Sequence, residues 1–182
     1  MTRYFAVSNL LELSSLEVHK LYKLRVDIFV HEQATPYAEI DDIDAAPTTN
    51  HILAWQRHET LPSTLEGCAR LVPTTVTELS AYTGVKIELD DAAPLSQLGR
   101  PAVAKAERGT GLSTELMHNA LRLAYEQYPE RDVVLNAQLP LVDFYKEFGF
   151  EACGPEFSDT GVAHLPMVLD AEKLDKFADL KN

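Results

Sequence analysis

The chain has 182 residues, of which 46% are hydrophobic and 24% are charged, and this composition predicts a single globular domain over residues 1–182. No apolar run is long enough for a membrane span, and the formal net charge of −12 argues against a nucleic-acid-binding surface. The polar start Met1-Thr2-Arg3 lacks the layout of a signal peptide, and the two cysteines, Cys68 and Cys153, have no disulfide or zinc spacing. We therefore expect a cytoplasmic protein with reduced, buried thiols.

The N-terminal part of the chain predicts a strand, a helix and an acidic loop. Tyr4–Val7 has strand character, and Ser14 with Glu17 has the capping-box spacing that starts a helix. This helix should end before Pro36. Its apolar stripe consists of Leu21, Leu24, Ile28 and Phe29. Residues 34–50 should form a solvated loop, and its acids are Glu39, Asp41, Asp42 and Asp44.

The next stretch predicts a β-hairpin, followed by a segment of unassigned function. His51–Trp55 and Gly67–Val72 have strand character, and the polar loop between them contains Pro62. Residues 73–97 are rich in Thr, Asp and Ala. Within them, Val85–Leu89 alternates weakly, as expected for a short strand or a lid.

The centre of the chain has the pattern of an anion site. A short strand at Ala102–Ala104 leads into the turn Arg108–Ser113, and an apolar-faced helix follows. Gly109 and Gly111 leave backbone N–H groups free to face outward, where the helix dipole adds positive potential. Such a turn most often binds phosphate. The apolar face of the helix consists of Leu112, Leu116, Ala120 and Leu123.

Three further elements complete the predicted fold. A buried strand at Val133–Ala137 and a short helix that runs into Phe144–Phe150 follow the glycine turn. The tail Ala171–Asn182 has apolar residues at helical spacing, so it should dock as a short helix.

Other functional motifs fit the sequence poorly. Gly109 and Gly111 lack the third glycine of a dinucleotide fingerprint, and Asp132 precedes the next strand, where it cannot reach a ribose. The six histidines have no paired ligand spacing, so no metal site is expected. No G-x-S-x-G motif indicates a serine hydrolase.

The glycine turn and the segment after it resemble the GNAT N-acetyltransferase superfamily. Arg108-x-x-Gly111-x-Ser113 matches the acyl-CoA loop of that superfamily, and Leu135–Gln138 with Phe144–Phe150 is similar to its next segment. Both motifs occur in the right order, separated by one helix and one strand.

Motifs nearer the two ends narrow the resemblance to the ElaA-like branch. They are Arg25–Gln33, Pro36–Asp44 and Gly161–His164. Thr35 stands where that branch commonly has cysteine, and Ser113 replaces the last small glycine of the acyl-CoA loop.

The resemblance implies both a fold and an activity. The fold is α/β, a GNAT fold with a mixed, mostly antiparallel central sheet of about six or seven strands and helices on both faces. The activity is acetyl-CoA-dependent N-acetylation of a primary amine through a ternary complex, with acetyl-CoA as cosubstrate and no metal. The acceptor would be a small molecule or a peptide, with no nucleic acid or membrane as partner, and a homodimer is compatible with the family. Two alternatives remain: an acyl-CoA-binding sensor or regulatory module without turnover, and a structural α/β interaction domain without a ligand.

The resemblance also implies a cofactor site. The exposed backbone of Pro101–Val103 should bind the pantetheine arm, with the N–H of Val103 as the oxyanion donor. The strand of Asn136 should splay away from the Val103 strand and admit the arm. The expected cofactor-binding residues are Ala102, Val103, Arg108, Gly109, Thr110, Gly111, Leu112, Ser113, Thr114 and Asn136.

The catalytic acid and base are assigned with alternatives. Tyr145 matches the position that often protonates the departing thiolate, but it also belongs to an apolar helix face and is otherwise a core residue. Glu32 is the first choice of base, because it follows an apolar helix and partial burial would raise its pKa. His164 is the second choice. Further candidates for the base or the acceptor site are Asp41, Asp44, His51, Asn136 and Gln138.

Overall fold

The structure is a computed structural model that describes residues 2–178. Its strands form one eight-stranded sheet, and it has four α-helices among the described residues. The strands are β1 (Thr2–Ser8), β2 (Asn50–Arg57), β3 (Thr64–Thr74), β4 (Leu95–Val103), β5 (Asp132–Gln138), β6 (Glu151–Ala152), β7 (Phe157–Asp159) and β8 (Val162–Leu169). The helices are α1 (Ser15–Arg25), α2 (Val76–Thr83), α3 (Leu112–Gln127) and α4 (Val142–Lys146).

The sheet has the order β1-β2-β3-β4-β5-β8-β6, and β7 pairs with β8. β4 and β5 pair in parallel, from Leu95 opposite Asp132 to Gln97 opposite Val134. The pairs β1–β2, β2–β3, β5–β8, β6–β8 and β7–β8 are antiparallel. The predicted α/β fold with a mixed, mostly antiparallel sheet is therefore confirmed, with eight strands instead of six or seven. The predicted hairpin is also confirmed, as β2 and β3.

The described residues divide into two compact units. The first runs to Val72 and resumes over Arg100–Ala120, and the second comprises Pro73–Gly99 and resumes at Leu121. Buried side chains at the core of the first unit are Leu21, Leu24, Ile28, Phe29, Leu53, Trp55, Cys68 and Ala102. Those of the second are Val76, Leu79, Ile87, Leu95, Val134, Cys153 and Val168. The expectation of a single domain stays a prediction.

The first helix begins as its sequence predicts and ends with a change of geometry. The Ser14 hydroxyl accepts from the Glu17 N–H at 3.3 Å, and the Glu17 carboxylate accepts from the Ser14 N–H at 2.8 Å, which is the predicted capping box. After Arg25 the chain continues as a π-helical turn, Val26–Glu32. The Thr35 hydroxyl donates to the Phe29 carbonyl oxygen at 2.6 Å and so helps to satisfy the end of this turn just before Pro36.

Several predicted boundaries and elements were wrong. Residues 73–97 contain α2, whose capping box at Thr75 and Glu78 is readable in the sequence, whereas Val85–Leu89 forms no regular element. β4 begins at Leu95, seven residues before the predicted strand, and it contains Pro101. The predicted tail helix is a 3₁₀ segment, Ala171–Phe177, and its last predicted residues lie outside the described part of the chain.

Candidate active site

The turn before α3 has the open backbone of an anion site. Gly109 and Gly111 have φ angles of 77° and 90°, and a Cβ at either position would meet no atom within 4 Å. These angles lie in the left-handed region, which glycine adopts without a steric penalty. The backbone between β4 and α3 therefore leaves room for a ligand to approach closely.

The first backbone amides of α3 precede the hydrogen bonds of the helix itself. The first recorded helical bond runs from the Glu115 N–H to the Gly111 carbonyl oxygen at 3.1 Å. The N–H groups of Leu112, Ser113 and Thr114 precede this bond, so they have no acceptor within the helix. Because Gly111 has no side chain, it cannot cap them as Ser or Asp would.

Arg108 opens the turn, and its guanidinium is paired with a carboxylate. Arg108 Nη1 donates to Glu32 Oε1 at 2.5 Å and Nη2 donates to Oε2 at 3.1 Å. Both side chains are exposed to solvent, with 42% and 37% of their surface accessible. The hydrogen bond from Arg108 lowers the pKa of Glu32 below its ordinary value. The expected partial burial of Glu32 is therefore wrong, and with it the reason for a raised pKa.

The end of β4 presents one backbone N–H away from β3. The Ala104 N–H donates to the Glu66 carbonyl oxygen at 2.7 Å, and a Cβ at Gly67 would lie 3.3 Å from the Ala102 carbonyl oxygen. Ala102 and Ala104 thus direct their backbone groups towards β3. Because backbone groups alternate between the two edges of a strand, Val103 directs its N–H to the opposite edge. Pro101 lies on that same edge and has no N–H to offer there.

A buried ion network occupies the loop that was expected to be solvated. Arg25 Nε donates to Glu39 Oε1 at 2.6 Å, and Arg25 Nη1 donates to Asp44 Oδ1 at 2.6 Å. Arg70 Nη1 donates to both Asp41 Oδ1 and Asp44 Oδ1, at 2.7 and 2.8 Å. Glu39 and Asp44 are 5% and 0% exposed, so the expectation of solvated loop residues is wrong for these two acids. Asp42 is exposed as expected.

The network sets the ionisation of its members. Burial disfavours a charged carboxylate at Asp44, but Arg25 and Arg70 outweigh burial and hold the pKa of Asp44 below its ordinary value. Burial raises the pKa of Glu39 in spite of Arg25 and Arg100. His51 Nε2 lies 2.9 Å from the Asp44 carbonyl oxygen, and burial lowers the pKa of this imidazole. His51 therefore has the contacts of a structural residue of the network.

Tyr145 is buried in α4 among aromatic rings. It makes edge-to-face contacts with Phe144 and Phe150, at centroid distances of 5.4 and 6.1 Å. Burial raises the pKa of its phenol to about 12. Its Oη is not among the buried side-chain oxygens that lack a hydrogen-bond partner in the described part of the chain.

His164 lies on β8, where its Nδ1 contacts a backbone carbonyl oxygen. Its Nδ1 is 2.8 Å from the Val162 carbonyl oxygen, which can only accept, so Nδ1 carries the proton. When the imidazole is neutral, its lone pair therefore lies on Nε2. The ring stacks on Phe157 at a centroid distance of 5.5 Å, which fixes its orientation.

Asn136 lies on β5 opposite Pro166, and Gln138 lies opposite His164. Asn136 Oδ1 is one of the buried side-chain oxygens without a hydrogen-bond partner within residues 2–178. A buried amide oxygen without a donor is costly, so this position fits a ligand that donates an N–H.

The cysteines have the surroundings that the sequence predicts. Cys68 and Cys153 are both free and buried, and burial raises the pKa of their thiols to about 12 and about 11. Within the described part of the chain, no cluster of His, Cys, Asp and Glu has the arrangement of a metal site. No α-helix among the described residues combines the length and apolar character that crossing a membrane requires.

Sequence reasoning missed Arg70 and Arg100, which both belong to the ion network. Arg70 stands in the apolar run Gly67–Val72, and an arginine inside a buried strand must have a charged partner. The acids Glu39, Asp41 and Asp44 were noted in the sequence, but they were expected to lie in a solvated loop. Pairing the buried arginine with these acids would have located the network.

Comparison with known proteins gives the family. The family described as "Acetyltransferase (GNAT) domain" matches residues 77–171. Protein ElaA of Escherichia coli (strain K12) is 31% identical over 156 residues, which cover 86% of this chain and 89% of ElaA.

Solved structures agree with this assignment. The crystal structure of Escherichia coli ElaA has a TM-score of 0.74 and 28% identity, and the alignment covers 93% of this chain and 100% of that one. An acyl-CoA N-acyltransferase from Pseudomonas aeruginosa has a TM-score of 0.74 and 27% identity, with coverage of 92% and 99%. The chain belongs to the GNAT acetyltransferase family, in the ElaA-like branch that its motifs predict.

Proposed function

We propose that this protein transfers the acetyl group of acetyl-CoA to a primary amine through a ternary complex. The observation that carries the proposal is the open glycine turn at the start of α3, with φ angles of 77° at Gly109 and 90° at Gly111. Outward amides, the positive end of the helix dipole and free space together suit a pyrophosphate. GNAT proteins use acyl-CoA, and the acetyl group is our choice among acyl groups.

We infer which residues would hold acetyl-CoA from the family resemblance together with these positions. Backbone N–H groups across Arg108–Thr114 would bind the pyrophosphate. The backbone of Ala102 and Val103 would bind the pantetheine arm. The unpaired Oδ1 of Asn136 would accept a hydrogen bond from one of the amide N–H groups of that arm.

The reaction forms one bond and breaks another. The amine nitrogen attacks the thioester carbonyl carbon, and the C–S bond breaks to give an amide and the CoA thiol. Negative charge develops on the carbonyl oxygen during the attack, and the N–H of Val103 would stabilise this charge. One proton must leave the amine nitrogen, and one must reach the departing sulfur.

Tyr145 would protonate the sulfur. Its pKa of about 12 keeps the phenol protonated at neutral pH, so the proton is available whenever the thiolate forms. A cysteine thiol ionises near a pKa of about 8.5, and a thiol of similar acidity in CoA makes full proton transfer from this phenol uphill, so the hydrogen bond to sulfur has to supply part of the stabilisation.

His164 would accept the proton of the amine. Its Nδ1–H is committed to the Val162 carbonyl oxygen, which leaves the Nε2 lone pair to act as a base. Glu32 is less suited, because its pairing with Arg108 makes the carboxylate less basic. We therefore place His164 before Glu32 as general base.

A free-thiol release assay with acetyl-CoA against a panel of primary amines tests the proposal. Wild-type protein should release thiol at a rate that depends on the amine. Ser113→Glu puts a carboxylate at the exposed start of α3, where an acid favours the helix but repels pyrophosphate, so it should lose activity without losing stability. Gln127→Glu adds the same charge at the far end of α3 and serves as the control.

The outcomes separate enzyme from sensor. Slow thiol release that is independent of every amine would favour an acyl-CoA-binding module without turnover. Faster release from a longer acyl-CoA than from acetyl-CoA would contradict the acetyl assignment alone. Full activity of Ser113→Glu would show that the pyrophosphate does not lie at the start of α3.

A further inference from the structure

Arg100 lies in the middle of β4 with a backbone that its residue type disfavours. Its φ angle is 53°, in the left-handed region that non-glycine residues rarely adopt. Pro101 follows, and a proline restricts the preceding residue further, towards extended conformations. Two local preferences therefore oppose this conformation, so contacts elsewhere must hold it.

The side chain of Arg100 provides such contacts. Its Nη2 donates to the Ala38 carbonyl oxygen at 3.2 Å and to Asp41 Oδ2 at 3.4 Å. Its Nε lies 3.3 Å from Glu39 Oε2, and the guanidinium lies over the Tyr37 ring at 5.4 Å. Only 18% of the side-chain surface is accessible.

The partners of Arg100 are themselves fixed. Arg25 holds Glu39 through its Nε at 2.6 Å and also donates to the Glu39 carbonyl oxygen. Arg70 holds Asp41 at 2.7 Å. The guanidinium of Arg100 is thus attached to a network of arginine–carboxylate pairs that includes the buried Glu39.

We propose that Arg100 is a positioning residue for the backbone that binds the pantetheine arm. Its left-handed conformation sets the direction of the three residues that follow, and hence the edge to which Val103 presents its N–H. If Arg100 relaxed to an extended conformation, the alternation of backbone groups would change and Val103 would no longer face the same edge. The ion network acts on the site through this one backbone angle.

This inference rests on the proposed function, because it assigns pantetheine to the β4 edge. The test compares two ligands. Acetyl-CoA contains the nucleotide 3′-phospho-ADP and the pantetheine arm, whereas 3′-phospho-ADP alone requires only the glycine turn. Their dissociation constants should be measured by calorimetry for wild type, Arg100→Ala, Arg100→Gly and the control Arg57→Ala, which removes an exposed arginine.

Arg100→Ala keeps the strain of a Cβ but loses the anchor, so it should weaken acetyl-CoA binding by about tenfold or more. Binding of 3′-phospho-ADP should change by less than about twofold, since the turn is untouched. Arg100→Gly adopts the left-handed conformation without strain, so it should recover much of the loss. Arg57→Ala should match wild type with both ligands.

Three results would overturn the inference while leaving the proposed function intact. They are normal acetyl-CoA binding by Arg100→Ala, equal loss of both ligands, and no recovery in Arg100→Gly. If wild-type protein binds neither ligand, the proposed function fails and the inference fails with it.

Discussion

The first residue of the glycine turn, Arg108, is held by Glu32, the last residue of the π-helical turn after α1. Arg108 Nη1 and Glu32 Oε1 are 2.5 Å apart, and the second pair of atoms, Nη2 and Oε2, is 3.1 Å apart. The Glu32 carboxylate is therefore paired with Arg108, the arginine that begins the turn where we expect the pyrophosphate to bind. A phosphate and the Glu32 carboxylate would compete for the same guanidinium.

Glu32→Gln should tighten acetyl-CoA binding. The variant removes the competing carboxylate and its repulsion of phosphate, and we expect the dissociation constant to fall roughly two- to fivefold, as suits one exposed ion pair. The gain should shrink at high salt, because both charges are screened. Asp27→Asn, which removes an exposed carboxylate from the same π-helical turn, is the matched control. Weaker binding in Glu32→Gln would contradict the competition.

Tyr145→Phe should lower turnover by about 10²-fold or more, the usual contribution of a general acid. The ring keeps its contacts with Phe144 and Phe150, so acetyl-CoA binding and stability at neutral pH should change little. Steady-state rates and calorimetry on the same preparations check both expectations. Tyr125→Phe, at an exposed tyrosine of α3, controls for loss of a phenol. Unchanged turnover would make Tyr145 a core residue only.

The buried phenol and thiols should make the fold sensitive to alkali. Burial raises the pKa of Tyr145 from 10.0 to about 12, that of Cys68 from 9.0 to about 12 and that of Cys153 from 9.0 to about 11. The unfolded chain loses these protons first, so their contribution to stability is complete below about pH 9 and falls as the pH rises towards 12. Urea unfolding from pH 8 to pH 11 should show this loss.

Tyr145→Phe should reduce the alkaline loss in the upper part of that range. Two pKa units on one buried group correspond to about 3 kcal/mol at most, reached between pH 10 and pH 12. The thiol contribution, which begins near pH 9, should remain in this variant. Parallel stability curves for wild type and Tyr145→Phe up to pH 11 would show that burial does not perturb the phenol.

His164→Gln tests the general base. The variant keeps a hydrogen-bonding side chain but has no basic nitrogen, so turnover at pH 7 should fall by about 10²-fold or more. The rate should recover as the pH approaches the pKa of the amine, because a neutral amine needs no base. Rates across pH with one strongly basic and one weakly basic amine check this expectation. An equal loss at every pH would point to binding or folding instead.

Several helices and strands were predictable because local signals specify them. The capping box at Ser14, the apolar face of α3 and the buried strand at Val133–Ala137 each depend on residues close in the sequence. The same holds for α2, whose signals were present at Thr75 and Glu78 but were not used. Strand limits were harder, since the strand predicted at Ala102–Ala104 captured only the end of β4, which begins at Leu95.

Local sequence signals did not predict which charged residues are buried and which ones pair with each other. Glu39 and Asp44 stand in a loop-like sequence rich in acids, and their burial depends on Arg25, which lies 14 and 19 residues away. Glu32 follows an apolar helix but is drawn to solvent by Arg108, 76 residues away. Pairing over such distances is decided by the fold, and local polarity carries no information about it.

Arg25→Met should be the most destabilising of these substitutions. It removes the shared partner of two buried carboxylates, Glu39 and Asp44, and breaking a buried pair from one side typically costs about 3–5 kcal/mol. In wild type the pKa of Asp44 is depressed, so its contribution is present at neutral pH and is lost as the pH falls. The stability difference between wild type and Arg25→Met should therefore be largest near pH 7 and shrink towards pH 4, where protonation relieves the unpaired acids. Urea unfolding at both pH values measures it, with Arg57→Met as the exposed control. A difference that is the same at both pH values would mean that Arg25 stabilises by packing and not by charge.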